Sequence, residues 1–222
     1  MGETYISSKK DNFMSKKNIS DVGLSYDNLI KKYGYNSKKN LKKINSLKAN
    51  KKYKFLKRYL ERGITILEIG PGSGRFFEIY KKRNFSYTGI EASNLFYLYL
   101  NKKFKNKYTN FLNLTYPHSP SKIINSKKYD LVFSLSSIQE KSFYKINPNF
   151  FIRKIINQTY KILKVNGLFI FDFFNYENVD FKEKHLVYLK EKDILFYSKK
   201  FKSCKIVYPF KKNYEGLVIL KK

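Results

Sequence analysis

The sequence predicts an α/β protein built on a doubly wound, mostly parallel sheet closed by one antiparallel strand. Three observations carry this. From about residue 50, short apolar runs alternate with segments of helical spacing. The first apolar run ends in a glycine-rich turn, Gly70-Pro71-Gly72-Ser73-Gly74. The last two apolar runs are joined too tightly for a parallel crossover, which leaves an antiparallel hairpin.

Residues 1–50 are polar and rich in Lys, Asn and Ser. They are expected to form an N-terminal extension with a cap helix. Only 22–34, with Leu24, Leu29, Ile30 and Tyr33, has the spacing of a short helix. Tyr26 and Tyr33 suit amphipathic packing, with an aromatic lid as the alternative. The main domain is expected over 51–222. Tyr53, Leu56, Tyr59 and Leu60 fall at helical spacing, and Gly63 ends that helix. Residues 64–69 read as a buried strand, 75–83 as a helix, 87–91 as a second strand and 94–105 as a further helix. A weaker strand follows near 108–112. Residues 129–134 form the fourth strand, 149–164 a long amphipathic helix and 167–173 the fifth strand. Residues 205–208 and 217–220 form the terminal hairpin, turning around 213–216.

The chain has 222 residues, 42% of them hydrophobic and 18% aromatic, enough for a buried core. One cysteine, Cys204, and two histidines, His118 and His185, leave no cysteine cluster and no all-histidine site, so no metal is expected. Cys204 reads as inert filling, and both histidines as loop or surface residues. No apolar run is long enough to span a membrane, and the Met1–Ile6 start lacks a signal core. A soluble, cytoplasmic protein is expected, with no membrane partner. The net charge is +29, from 46 basic and 17 acidic residues. That favours a polyanionic partner such as RNA. However, only Arg58, Arg62, Arg75, Arg83 and Arg153 are arginines, and nucleic-acid readers favour arginine. Lysine here accompanies Asn, Ile, Phe and Tyr, residues with A/T-rich codons, so genome composition is the competing explanation. The scarcity of acids is not explained by it.

The loop Glu68-Ile69-Gly70-Pro71-Gly72-Ser73-Gly74 lies between the first strand and its helix. Glycines there let a ligand approach the backbone closely. The spacing is neither of two common phosphate loops. Arg75 occupies the place of the third dinucleotide-site glycine, and no Gly-Lys-Ser/Thr follows.

The loop resembles motif I of the class I S-adenosylmethionine-dependent methyltransferases, a resemblance that extends from about residue 50 to the end. It implies a Rossmann-like sheet in the order 3-2-1-4-5-7-6, with the seventh strand antiparallel. Glu91, ending the second strand 17 residues after Gly74, matches the acid that accepts hydrogen bonds from the ribose hydroxyls. A carboxylate suits that role because it is acceptor-only. Val132–Gln139 resembles the family's strand-four motif, and Leu163–Ile170 its turn into strand five. Three departures stand out. Asn113 or Asn110 replaces the usual Asp that contacts adenine, Val165-Asn166 replaces Pro-Gly, and Gln139 stands where many small-molecule relatives carry His. The strand-four motif is not Asn/Asp-Pro-Pro-Tyr, which argues against amino methylation of adenine or glutamine by that loop.

The resemblance implies S-adenosyl-L-methionine as cofactor, bound by Glu68, Gly70, Gly72, Gly74, Glu91, Ala92, Asn113, Ser134 and Leu135. Glu68 would orient the loop or, through water, the donor's amino end, with a surface acid as the alternative. No general base declares itself. Among residues near the ends of strands four and five, Glu140 and Asp172 are the candidate catalytic carboxylates, since Gln139 takes no proton. Asp172-Phe173-Phe174-Asn175 ends strand five, where open α/β sheets place substrate. The expected activity is S_N2 methyl transfer to a small-molecule acceptor. An RNA (rRNA or tRNA) methyltransferase using the lysine surface stays open. So does a non-catalytic accessory subunit that binds cofactor or nucleic acid.

Overall fold

A computed structural model describes residues 16–34, 51–80, 84–117, 124, 126–138, 148–179, 186–209 and 214–222. The elements, in chain order, are α1 (Lys16–Tyr33), α2 (Lys51–Leu56, extended by a 3-10 turn to Tyr59), β1 (Thr65–Ile69) and α3 (Arg75–Tyr80). Then come β2 (Ser86–Glu91), α4 (Asn94–Phe104), β3 (Thr109–Asn113), β4 (Tyr129–Ser134), α5 (Pro148–Ile162) and β5 (Leu163–Asn175). The chain ends with β6 (Tyr188–Leu189), α6 (Glu191–Tyr197), β7 (Ser203–Val207) and β8 (Glu215–Lys221). The sheet order is β3-β2-β1-β4-β5-β8-β7, and the two-residue β6 pairs with β5. With β6 set aside, this is the expected order 3-2-1-4-5-7-6. Strands β1 to β5 pair in parallel, while β8 runs antiparallel to both β5 and β7.

Period-two alternation along the buried strands sorts side chains onto two faces. Leu67, Val132, Phe169, Phe171 and Val218 pack under α5 and α6, against Phe151, Ile152, Ile155 and Ile194. Ile66, Tyr87, Leu131, Phe133, Ile170 and Leu217 face the other way, against Tyr53 and Leu56 of α2, Phe76, Phe77 and Tyr80 of α3 and Leu100 of α4. That second layer is aromatic. Phe76 stacks on Tyr87 at 5.6 Å between centroids, and Phe77 on Phe104 at 5.2 Å. With no tryptophan in the chain, large rings here come from Phe and Tyr.

Helix α1 starts at Lys16, earlier than the expected residue 22; Ile19 is the one apolar residue in Lys16–Asp21, and it continues the spacing of Val22 and Tyr26 by one turn. Its side chains are described from Gly23 to Asn28, at Ile30 to Lys32, and not at Tyr33. Ile30 is buried. At Ser93 the hydroxyl caps α4 by accepting from the Phe96 amide at 3.1 Å. Helix α6 and strand β6 were not expected. A two-residue strand is defined by its partner, Phe174-Asn175 of β5, rather than by its own sequence. Among the described residues no helix is long and apolar enough to cross a membrane.

Phe76 is fully buried and contacts five other rings. Phe76→Ala is expected to cost about 3–5 kcal/mol in urea unfolding. Exposed Phe196→Ala is expected to change stability by less than about 0.5 kcal/mol.

Candidate active site

Strand order reverses between β1 and β4, and the crevice at their carboxyl ends is where open α/β sheets bind ligands. The Gly70–Gly74 loop leaves β1 there. The Gly70 amide donates to the Ile90 carbonyl at 2.8 Å, tying the loop to the end of β2. A Cβ on Gly70 would lie 2.0 Å from Ser137 Oγ, so the loop and the segment after β4 touch.

Gly72 and Gly74 both adopt positive φ, +55° and +79°, but face different surroundings. A Cβ on Gly74 would meet the Phe104 ring at 2.5 Å and Leu100 at 3.0 Å, so this glycine lets α4 pack against the loop. A Cβ on Gly72 would meet nothing nearer than Phe96 at 4.0 Å, and so would project into open space.

Glu91 ends β2 and is buried, only 4% exposed. Its carboxylate accepts from the Gly72 amide and from the Ser93 amide, each at 2.8 Å. Burial pushes its pKa up to about 7, against the pull of these backbone donors. The carboxylate therefore braces the glycine loop directly. A carboxylate has about four acceptor directions, and the backbone donors leave capacity for hydroxyl groups. The buried acceptor beside the open face of Gly72 fits a ribose-bearing ligand.

Helix α1 lies over this end of β2. The Ser93 hydroxyl donates to Asp27 at 2.5 Å, and the Leu95 amide donates to the same oxygen at 3.2 Å. Gly23 lies so close to the Ala92 carbonyl that a Cβ would come within 2.4 Å. Ala92 is half-buried in this contact. Asn113 sits on the neighbouring strand and donates its amide to the Glu91 and Ala92 carbonyls at 2.9 and 3.3 Å. Asp27 was not singled out from the sequence. One signal was available, an acid within a basic extension.

Glu68 is the residue before Ile69 at the end of β1. It is fully buried and accepts from Tyr53 of α2 at 3.2 Å and from Tyr87 of β2. Burial pushes its pKa up to about 8, against those two hydroxyl donors. Its place in the structure is a brace between α2 and the sheet. Ser134 donates to the Ile69 carbonyl at 3.1 Å, joining the ends of β4 and β1, and Leu135 is buried in the aromatic layer.

Beyond β4 lies a charged cluster. Asp172 is fully buried and accepts from the Ser136 amide at 2.9 Å to each oxygen. Lys52 of α2 pairs with both Asp172 and Glu215 and donates to Ser136 Oγ at 3.1 Å. Burial alone would lower the Lys52 pKa, but the two carboxylates outweigh it and raise it, so the ammonium stays charged. This grip holds Ser136 at φ 58°, a strained conformation for a residue with a side chain. Lys52 was hidden in a lysine-rich run, and its partner lies 120 residues away. Farther along β5, Asn175 donates to Tyr208 Oη at 2.6 Å and to Glu191 at 3.2 Å. Glu140 and Gln139 lie outside the described residues, as do His118 and His185. Among the described residues no three His, Cys, Asp or Glu side chains are placed to hold a metal ion.

A family described as "Methyltransferase domain" matches residues 41–198 by its sequence model. Solved structures share the fold. The chain is similar to the magnesium protoporphyrin IX methyltransferase ChlM from Synechocystis PCC 6803 with bound S-adenosylmethionine. That match has 13% identity, covers 95% of this chain and all of that one, and has a TM-score of 0.61. It is also similar to DhpI in complex with S-adenosylhomocysteine, with 11% identity, 93% and 98% coverage and a TM-score of 0.63. The N-methyltransferase NodS from Bradyrhizobium japonicum WM9, also with S-adenosylhomocysteine, matches at 13% identity, with 78% and 87% coverage and a TM-score of 0.57. No curated protein matches the chain by sequence. The family match spans well over half of the chain, which belongs to this methyltransferase family and is a class I S-adenosylmethionine-dependent methyltransferase.

Two predictions follow from the site. Gly74→Ala is expected to destabilise the protein by about 2 kcal/mol through its clash with α4. Gly72→Ala is expected to cost about 1 kcal/mol but to weaken donor binding at least tenfold; calorimetry and thermal melts separate the two. The second prediction concerns Glu68. Its folded pKa lies above its ordinary value of 4.5, so the folded protein holds a proton that the unfolded chain releases. The stability this gives is complete below about pH 4.5 and is lost as pH rises through 8. Wild type is therefore expected to lose stability from pH 5 to 8.5 relative to Glu68→Gln, by at most about 1.4 kcal/mol per pH unit. Melts of both proteins across that range measure the difference.

Proposed function

We propose that this methyltransferase acts on a small acceptor that is not a polyanion. The observation that supports this reading is the sign of the charge at the crevice. Asp27, Glu91, Asp172 and Glu215 converge at the carboxyl ends of the strands, and Lys52, the cation among them, is held by two carboxylates. These carboxylates would repel a phosphate group brought against them, and the Lys52 ammonium is already paired. Among proteins of the same fold, ChlM is a methyltransferase of magnesium protoporphyrin IX, a small molecule.

Bound donor supplies a methyl group already activated on a sulfonium, which an in-line nucleophile displaces. The residues of the chain then have three tasks. Glu91 accepts the ribose hydroxyls while bracing the Gly72 amide, so cofactor and loop are fixed together. Helix α1, anchored by Asp27 and Gly23, covers the end of β2 and keeps water from that side of the crevice. Asp172 acts as a positioning residue: with its oxygens taken by Lys52 and the Ser136 amide, it fixes the segment after β4 that faces the acceptor. Methyl transfer depends chiefly on alignment, so this grip is a direct route to rate. Glu140 remains the candidate base where an acceptor carries a proton.

Glu91→Gln is expected to weaken S-adenosylmethionine binding at least tenfold in calorimetry. Wild-type affinity is expected to fall as pH drops through about 7, because the protonated carboxyl accepts fewer hydroxyls, and the variant is expected to lack that dependence. Tritium from labelled donor is expected in a small-molecule extract. Label in RNA alone would overturn the acceptor class, and an unchanged affinity in Glu91→Gln would overturn the ribose assignment.

A further inference from the structure

The end of the sheet opposite the crevice has the opposite charge. Parallel strands place their amino ends together, and β8, running the other way, brings its carboxyl end there. Lys107, Arg62, Lys128, Lys164, Lys221 and Lys202 stand at the ends of β3, β1, β4, β5, β8 and β7. The first four and Lys202 are exposed, and Lys221 is half-exposed. Backbone contacts join these positions across the sheet. The Lys202 amide donates to the Lys221 carbonyl at 2.8 Å, and the Lys222 amide to the Gly167 carbonyl at 3.0 Å. Burial first, and then the nearby charge of Lys128, lowers the pKa of the Lys222 ammonium. The acids described at this end are Glu61 and Asp130, the latter bound to Lys164 at 2.8 Å.

Seven strands about 4.8 Å apart make this a row of cations about 29 Å long. An exposed ring stands toward each end of it. Tyr108, 51% exposed, precedes β3 with the Lys107 ammonium 4.9 Å above it. Phe196, 58% exposed, lies on the last turn of α6, which leads into β7, with the Lys199 ammonium 4.6 Å above it. A codon bias toward lysine would load all surfaces alike. Among the described residues, Asp27, Glu91, Asp172, Glu191 and Glu215 stand at the crevice end together with Lys31, Lys32, Lys190 and Lys192, whereas at the opposite end six strands carry a cation and only Glu61 and Asp130 oppose them. A line of cations with separate stacking surfaces fits a linear polyanion that carries bases. A lipid surface would need a large contiguous apolar patch, and here Tyr108, Val165 and the pair Leu195-Phe196 are spread along the row.

We propose that this end of the sheet binds single-stranded nucleic acid through its phosphate backbone, away from the methyl-transfer crevice. Strands β1 to β4 are five or six residues long, about 17–20 Å, so nucleic acid held at their amino ends is a docking partner and not the methyl acceptor.

Anisotropy of fluorescein-labelled dodecauridylate and dodecathymidylate tests this with the full chain. Wild type is expected to bind at least one of them, with affinity falling steeply from 50 to 200 mM salt. Replacing Lys107, Lys128, Lys202 and Lys221 together by Ser is expected to lower affinity at least tenfold. It is also expected to reduce the log–log salt slope by about 3, near 0.7 per lost contact. The same number of changes at the crevice end, Lys31, Lys32, Lys190 and Lys192 to Ser, is expected to change affinity less than about threefold. Thermal melts and donor titration verify folding of both variants. Tyr108→Ala with Phe196→Ala offers an independent check, weakening binding without changing the salt slope. Equal losses in the two lysine variants would overturn the proposal. So would wild type that binds neither oligonucleotide at 50 mM salt, or that binds anionic phospholipid vesicles alone.

Discussion

Parallel pairing of β1 with β2 on one side and β4 on the other aligns the strands so that their carboxyl ends share one edge. The described segments that leave those ends meet at the same crevice. The glycine loop, the Glu91 carboxylate and the Ser136 segment are therefore neighbours although they are far apart in sequence. The same alignment gathers the amino ends of the strands at the opposite edge. Two surfaces with separate chemistry follow from one hydrogen-bonding pattern, before any side chain is chosen.

Within that frame the buried carboxylates act as braces. Glu68 and Glu91 both sit in surroundings that disfavour their charge, and both are satisfied by donors from other elements: tyrosines from α2 and β2 for Glu68, loop amides for Glu91. A buried acid with its donors removed costs several kcal/mol, so each fixes the groups that satisfy it. Glu68 locks α2 against the sheet, and α2 carries Lys52. The Lys52 ammonium then holds Asp172 and Glu215, and Asp172 holds Ser136. Core and crevice are linked by this chain of contacts.

Much of the fold could be read directly from the sequence, because the buried strands are continuous apolar runs and the helices have one apolar stripe. The glycine loop stands out by its glycines after strand one, and Glu91 by its resemblance to the family's strand-two acid, with the spacing that returns strand two beside strand one in support. Other features depend on contacts that periodicity does not encode. Helix α6 is short, and β6 exists through its pairing with Phe174 and Asn175. Lys52 looks like any other lysine in the run 51–57 until β5 brings Asp172 to it. The glycines at 72 and 74 look equivalent in the motif. Only the position of α4 shows that one faces open space and the other a phenylalanine ring. The surroundings of Glu68 were equally hidden, because its tyrosine partners come from elements on either side of β1.

The charge of the chain is best understood as a distribution rather than a total. A net +29 describes a protein attracted to polyanions everywhere, and on that basis alone an RNA acceptor and a coincidental codon bias are equally good explanations. The fold separates them. Carboxylates collect where the strands end, and the cation among them is locked between two acids. Among the described residues, six strands carry a cation at the end where the parallel strands begin, with Glu61 and Asp130 the acids among them. Electrostatic attraction falls off within about 8–10 Å at physiological salt, so each end acts on its own ligand. A cationic donor is drawn to the acidic end, and a phosphate chain to the basic one. Among the described residues a row of exposed cations stands the length of the strands away from the crevice, so the net charge alone does not identify the methyl acceptor.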